Sequence, residues 1–171
     1  RIVVVEDTDG DGVADKVTTF ADNLSIPTSI AFHKGGIIVH QLPDTLYLKD
    51  TDGDGKADVR EVLFTGWGTA DTHAGPSNLR YGLDNWIYGI VGYAGFRGTI
   101  GGEPHEFRQG LYRFKPDGSK LEFLRNTNNG GLSGNAGIGD CTPLGLAGSC
   151  SLIQHGSLGI SVLTDQLLDI P

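Results

Sequence analysis

Methionine is absent from the 171 residues, and cysteine and tryptophan occur only twice each. Long apolar runs are missing too. A stretch such as Ile2 to Val5 is far short of the roughly 20 residues a membrane-crossing helix needs. Basic residues are scarce, 13 Lys plus Arg against 21 Asp plus Glu, for a net charge of -8. That balance excludes a nucleic-acid-binding surface built on phosphate neutralisation, which needs a basic stripe. No two of the five histidines (His33, His40, His73, His105, His155) stand at metal-ligand spacing, so a zinc site is not expected. The haem-attachment pattern C-x-x-C-H, the nucleophile elbow G-x-S-x-G, the H-E-x-x-H pair and the phosphate loop are all missing. The chain opens at Arg1 directly into a β-like run, with no signal-peptide pattern, and is expected to be a piece of something longer.

What is present is a repeat. Val5 to Asp15 (VEDTDGDGVAD) returns as Leu48 to Asp58 (LKDTDGDGKAD), an offset of 43 residues. A strand-like segment follows each copy, residues 16–20 and 59–64. This period matches a four-stranded propeller blade, roughly 40–50 residues. Between the copies, residues 27–32, 37–40, 45–48 and 59–64 read as four strands punctuated by Gly, Pro and Asp turns. A second blade is drawn from residues 78–81, 86–91, 110–114 and 121–124, with a long insertion, 92–109, between its second and third strands. Loops of that length in compact domains are usually functional or mobile. No convincing helical period appears, and the class is all-β: a partial β-propeller of about two to three four-stranded blades over residues 1–129. A Gly-rich tail follows over 130–171. It contains no Lys or Arg, is given no assigned structure beyond one candidate strand at 157–163, and holds Cys141 and Cys150, which can pair if the protein is exported.

The acidic loops carry the chemistry. Asp50, Asp52, Asp54, Gly55 and Glu61 fit the calcium-loop pattern D-x-D-x-D-G-x5-E, with Asp58 at the ninth loop position. Carboxylates this crowded repel one another unless they are protonated or share a hard cation. The first loop offers Asp7, Asp9, Asp11 and Asp15 but has Thr18 where the closing Glu would stand, which predicts a weaker site or one closed by Asp15. No amphipathic helices flank either loop, so a bound Ca²⁺ would stiffen a β-hairpin. The alternative is an Asp/Gly turn without metal, since both residues favour turns. His73, in the polar loop Asp71 to Pro76, is a candidate general base, or else a loop histidine bonded to its own backbone.

Asp50 to Asp58, Gly66 to Gly82 and Asp84 to Gly89 resemble the membrane-bound dehydrogenase domain of large bacterial proteins often called PVC-type haem-binding proteins. The match runs on through Gly92 to Phe96 and Arg113 to Gly118 to Asn129, and so covers residues 1–129. The resemblance implies a propeller like that of soluble quinoprotein glucose dehydrogenases, six-bladed in the parent and exported to the periplasm or cell envelope. It implies sugar or alcohol oxidation, a PQQ-like quinone bound by the complete propeller, and electrons passed to a c-type haem module outside this chain. In those enzymes a histidine ahead of a G-x-D-x-x-x-Y strand takes the proton from the alcohol. Here His73 precedes Gly82, Asp84 and Tyr88, which implies His73 as catalytic base. This piece alone would then be inactive. The second reading is a non-catalytic, calcium-stabilised propeller module that binds carbohydrate or protein.

Overall fold

The computed structural model describes residues 1–127, and the calls made on Cys141, Cys150 and the candidate strand at 157–163 lie outside them. Twelve strands form: β1 (Ile2–Glu6), β2 (Lys16–Ala21), β3 (Ser29–His33), β4 (Gly36–His40), β5 (Asp44–Lys49), β6 (Val59–Thr65), β7 (Pro76–Tyr81), β8 (Ile87–Val91), β9 (Phe96–Ile100), β10 (Glu103–Phe107), β11 (Gly110–Phe114) and β12 (Leu121–Arg125). A single 3-10 turn, Thr72–Ala74, precedes β7. The architecture is all-β and antiparallel, with two four-stranded sheets, β3-β4-β5-β6 and β7-β8-β11-β12, and two hairpins, β1–β2 and β9–β10. The sheets have the size and meander order of propeller blades, and no ring closes among the described residues.

The sheets stack in layers because their strands are apolar on both faces. Every residue of β4 is buried. Ile37 and Val39 point to one side, where Leu46, Leu48 and Ala21 meet the β1–β2 hairpin. Ile38 points to the other side, into a larger cluster with Phe64, Trp67, Phe96, Tyr112 and Phe114. The first sheet is therefore sandwiched, as the strict two-residue side-chain period of a strand allows. β3 and β7 lie side by side: Leu79 N–H donates to Ser29 Oγ (2.8 Å) and the Tyr81 hydroxyl lies 2.6 Å from His33 Nδ1.

At the centre of the larger cluster, His40 is fully buried. Its Nδ1 is 2.8 Å from Thr45 Oγ1 and its Nε2 is 2.8 Å from the Tyr112 hydroxyl, which ties one sheet to the other. Trp67 Nε1–H donates to the same Thr45 oxygen at 2.9 Å. No buried side-chain nitrogen or oxygen among the described residues lacks a partner, as the cost of an unsatisfied buried polar group demands.

The structure corrects one expectation. Residues 92–109 are not an open loop; they contain the β9–β10 hairpin, in register from Ile100↔Glu103 to Phe96↔Phe107. Its two-residue turn is Gly101-Gly102, both at positive φ (61° and 86°), the backbone that tight hairpins require. Phe96 and Ile100 are buried in the main cluster, and Trp67 bridges to Phe96. The hairpin thus extends the core.

Candidate cation sites

Each acidic loop joins two antiparallel strands, β1 to β2 and β5 to β6, and the two loops fold alike. Asp50 opens the second loop and accepts from Gly53 N–H (2.7 Å) on one oxygen and Gly55 N–H (2.8 Å) on the other. Asp7 does the same with Gly10 (2.7 Å) and Gly12 (2.8 Å). The glycines can serve because all four sit at φ between 79° and 86°, a region nearly closed to other residues. Asp52 and Asp54 then accept from the amides of Asp54 and Lys56, and Asp9 and Asp11 from those of Asp11 and Val13. These short bonds turn the three carboxylates of each loop inward.

The result is two groups, Asp7-Asp9-Asp11 and Asp50-Asp52-Asp54, in each of which one oxygen per residue lies within 4.8 Å of the others. That spread suits one cation, since two ligands across an ion at roughly 2.3–2.6 Å each stand about 5 Å apart. The backbone N–H groups of Gly12 and Gly10 hold the Asp7 carboxyl below its ordinary range, and those of Gly55 and Gly53 do the same for Asp50. Both are ionised at neutral pH and available to a metal.

The remaining expected ligands are placed differently. Asp58 accepts from both the amide (3.0 Å) and hydroxyl (2.5 Å) of Thr51, and Asp15 from those of Thr8 (3.1 and 2.7 Å). The hydroxyl and amide of Thr8 also pull the Asp15 pKa down. Both aspartates close their loops from the far side and stand outside the three-carboxylate groups. Glu61 lies within β6, opposite Tyr47, and is also outside the second group. The sequence signal for this closure is the threonine after the first Asp of each copy, Thr8 and Thr51. Lys56 also distinguishes the loops: its ammonium reaches Asp54 at 3.8 Å, and the first loop has Val13 there.

The second loop also touches its neighbouring layer. Ala57 N–H donates to Phe20 C=O (2.7 Å), and the Arg60 guanidinium donates to the carbonyls of Asp22 (3.2 Å) and Asn23 (3.0 Å). A recess of about 310 Å³ lies along this seam, lined in part by Thr19, Asn23, Lys56 and Arg60.

His73 stands apart, on the 3-10 turn. Its side chain is 96% exposed, with Nδ1 3.5 Å from the Asp71 carboxylate, which also caps the His73 amide. The Tyr93 hydroxyl donates to the other Asp71 oxygen, and that bond keeps the carboxyl acidic. Neither the seam recess nor a second one, beside Gly66, Tyr93 and Arg108, is lined by His73. Among the described residues no helix is long and apolar enough to cross a membrane.

A family model described as Domain of unknown function (DUF7133) matches residues 1–136. No curated protein and no solved structure matches the chain.

Proposed function

Taking as premise that the chain belongs to the DUF7133 family, we propose that it is a calcium-stabilised, propeller-type β-sheet module whose role is structural and binding rather than catalytic. The observation that carries this reading is duplication. Two loops 43 residues apart present the same three inward carboxylates on the same hydrogen-bonded frame. The backbone amides that Asp9, Asp11, Asp52 and Asp54 accept from would be served as well by neutral Asn, so gathering three charged carboxylates at each site adds a repulsion that a shared cation relieves. Ca²⁺ fits better than Mg²⁺, because it takes more oxygen ligands in looser geometry, and backbone carbonyls and water would complete the shell. Millimolar extracellular calcium suits such open sites, in keeping with an exported module that presents its sheet surface to carbohydrate or protein.

The test is thermal unfolding after chelation and then with added CaCl₂ or MgCl₂. A ligand at 100 times its Kd adds about 2.7 kcal/mol, which raises Tm by several degrees. We expect that rise with calcium, a smaller one with magnesium, and none in a variant carrying Asp9→Asn, Asp11→Asn, Asp52→Asn and Asp54→Asn. A wild-type Tm indifferent to chelator and calcium rejects the proposal.

A second reading, the sugar or alcohol dehydrogenase implied by the family resemblance, is favoured by one contact: Asp71 stands beside His73 as an orienting carboxylate stands beside a general base. The His73 side chain is 96% exposed and lines neither of the two recesses described above. Quinone-dependent dye reduction that the protein shows and His73→Ala loses would favour this second reading over the first.

A further inference from the structure

We propose that the free edge of β1 is a docking edge for a two-stranded antiparallel segment of the β3–β4 type, so that β1–β2 is the outer half of a third four-stranded sheet. The 43-residue offset holds for hydrogen-bond register as well as for sequence. Glu6↔Lys16, Val5↔Val17, Val4↔Thr18 and Val3↔Thr19 become Lys49↔Val59, Leu48↔Arg60, Tyr47↔Glu61 and Leu46↔Val62. The irregularity is repeated too: the register shifts between Ile2 and Val3, and again between Thr45 and Leu46, with Ile2↔Ala21 answering Thr45↔Phe64. β1 and β2 are therefore the counterparts of β5 and β6.

β5 is paired on both sides, with β6 and with β4, and four of its side chains, at positions 45, 46 and 48 and in part 47, sink into the layers around it. β1 has only β2 as a partner among the described residues, and each of its five residues is half-buried. Yet its first four residues, Ile-Val-Val-Val, are an unbroken apolar run of the kind found in interior strands, and its one charge, Glu6 at the last position, is paired with Lys16 of β2. The repeat specifies the partner that fits this edge. By the β4–β5 register, the residue facing Ile2 takes the place of His40 and the residue facing Glu6 that of Gly36. The occupant is an extended hairpin with apolar residues alternating across both faces.

The offset also supplies the experiment, because Arg1 corresponds to Asp44. A copy of residues 27–43 fused directly before Arg1 reproduces the native spacing of β3 and β4 ahead of β5. Amide hydrogen exchange is read at residues 2–6 in this chain and in one carrying a scrambled extension of the same length. We expect the genuine copy to slow exchange of the β1 amides that β2 leaves free by about tenfold or more, with the protein still monomeric by sedimentation. The same segment added in trans as a peptide is the second arm, in case the fusion misfolds. If neither arm protects β1 beyond its scrambled control, the proposal is wrong. Protection of β1 in the unextended chain that grows with protein concentration overturns it as well, because the edge then pairs with a second copy.

Discussion

Burial sets the acid–base behaviour of His40. Taken out of water between two sheets, the imidazole is held neutral, its pKa pushed down to about 3. In the unfolded chain it takes a proton near the ordinary value of about 6.5. The unfolded state therefore binds the extra proton below that pH, and stability that is complete above about 6.5 is lost as pH falls toward the folded value, by about 1.4 kcal/mol per unit at most. His33, lowered by desolvation and by Lys34, acts in the same direction. Urea unfolding at pH 7, 6 and 5 should show this slope in the wild type and a shallower one in His40→Gln, which also starts less stable for want of its two hydrogen bonds; equal slopes would place the acid sensitivity elsewhere. None of this was readable in the sequence, where His40 is one histidine in an apolar run. The six triad aspartates were readable, because their local spacing alone determines the loop that gathers them. Glu61 completes the D-x-D-x-D-G-x5-E pattern in sequence, and in the structure that position lies within β6, outside the three-carboxylate group.

Among the elements, the β9–β10 hairpin separates what pattern alone reveals from what packing adds. Ten strands, β1 to β8 with β11 and β12, fall on segments rich in β-branched and aromatic residues between Gly, Pro or Asp turns that the sequence displays. β9 and β10 are harder to see: β9 alternates, with Phe96 and Ile100 buried and Arg97 and Thr99 exposed, but it is short and Gly-centred, and its partner β10, Glu-Pro-His-Glu-Phe, has a single large apolar residue at its end. Their order comes from Phe96 and Phe107, stacked with centroids 5.4 Å apart beneath Trp67, which is a tertiary contact. Phe96→Ala removes that anchor and should cost about 3–5 kcal/mol, as for other buried aromatics. Trypsin gives the more specific readout. Arg97 and Arg108 should resist cleavage in the folded wild type and be cut first in Phe96→Ala, whereas early cleavage at both sites in the wild type would mean that the hairpin does not hold in solution.

For the molecule as a whole, the two acidic loops carry the same three carboxylates and differ in position. The second crosses a seam, carrying Ala57 and Arg60 onto the backbone of the β1–β2 layer. The side-chain hydrogen bonds of the first loop run between its own residues, whereas Gly55 of the second loop also lies close to β2, where an added Cβ would meet the Thr18 methyl at 3.1 Å. A cation in the second loop stiffens the segment that joins two layers; one in the first stiffens only a hairpin. Asp52→Asn with Asp54→Asn should therefore loosen the β1–β2 layer from the sheet behind it, while Asp9→Asn with Asp11→Asn should not. Exchange of the Ala57 amide, which is bonded across the seam, reports the difference. In calcium it should speed up in the second-loop variant and stay slow in the first-loop variant. Equal acceleration in both would mean that the cations act through overall stability, since a global loss exposes every amide alike, whereas a local opening exposes only those at the seam.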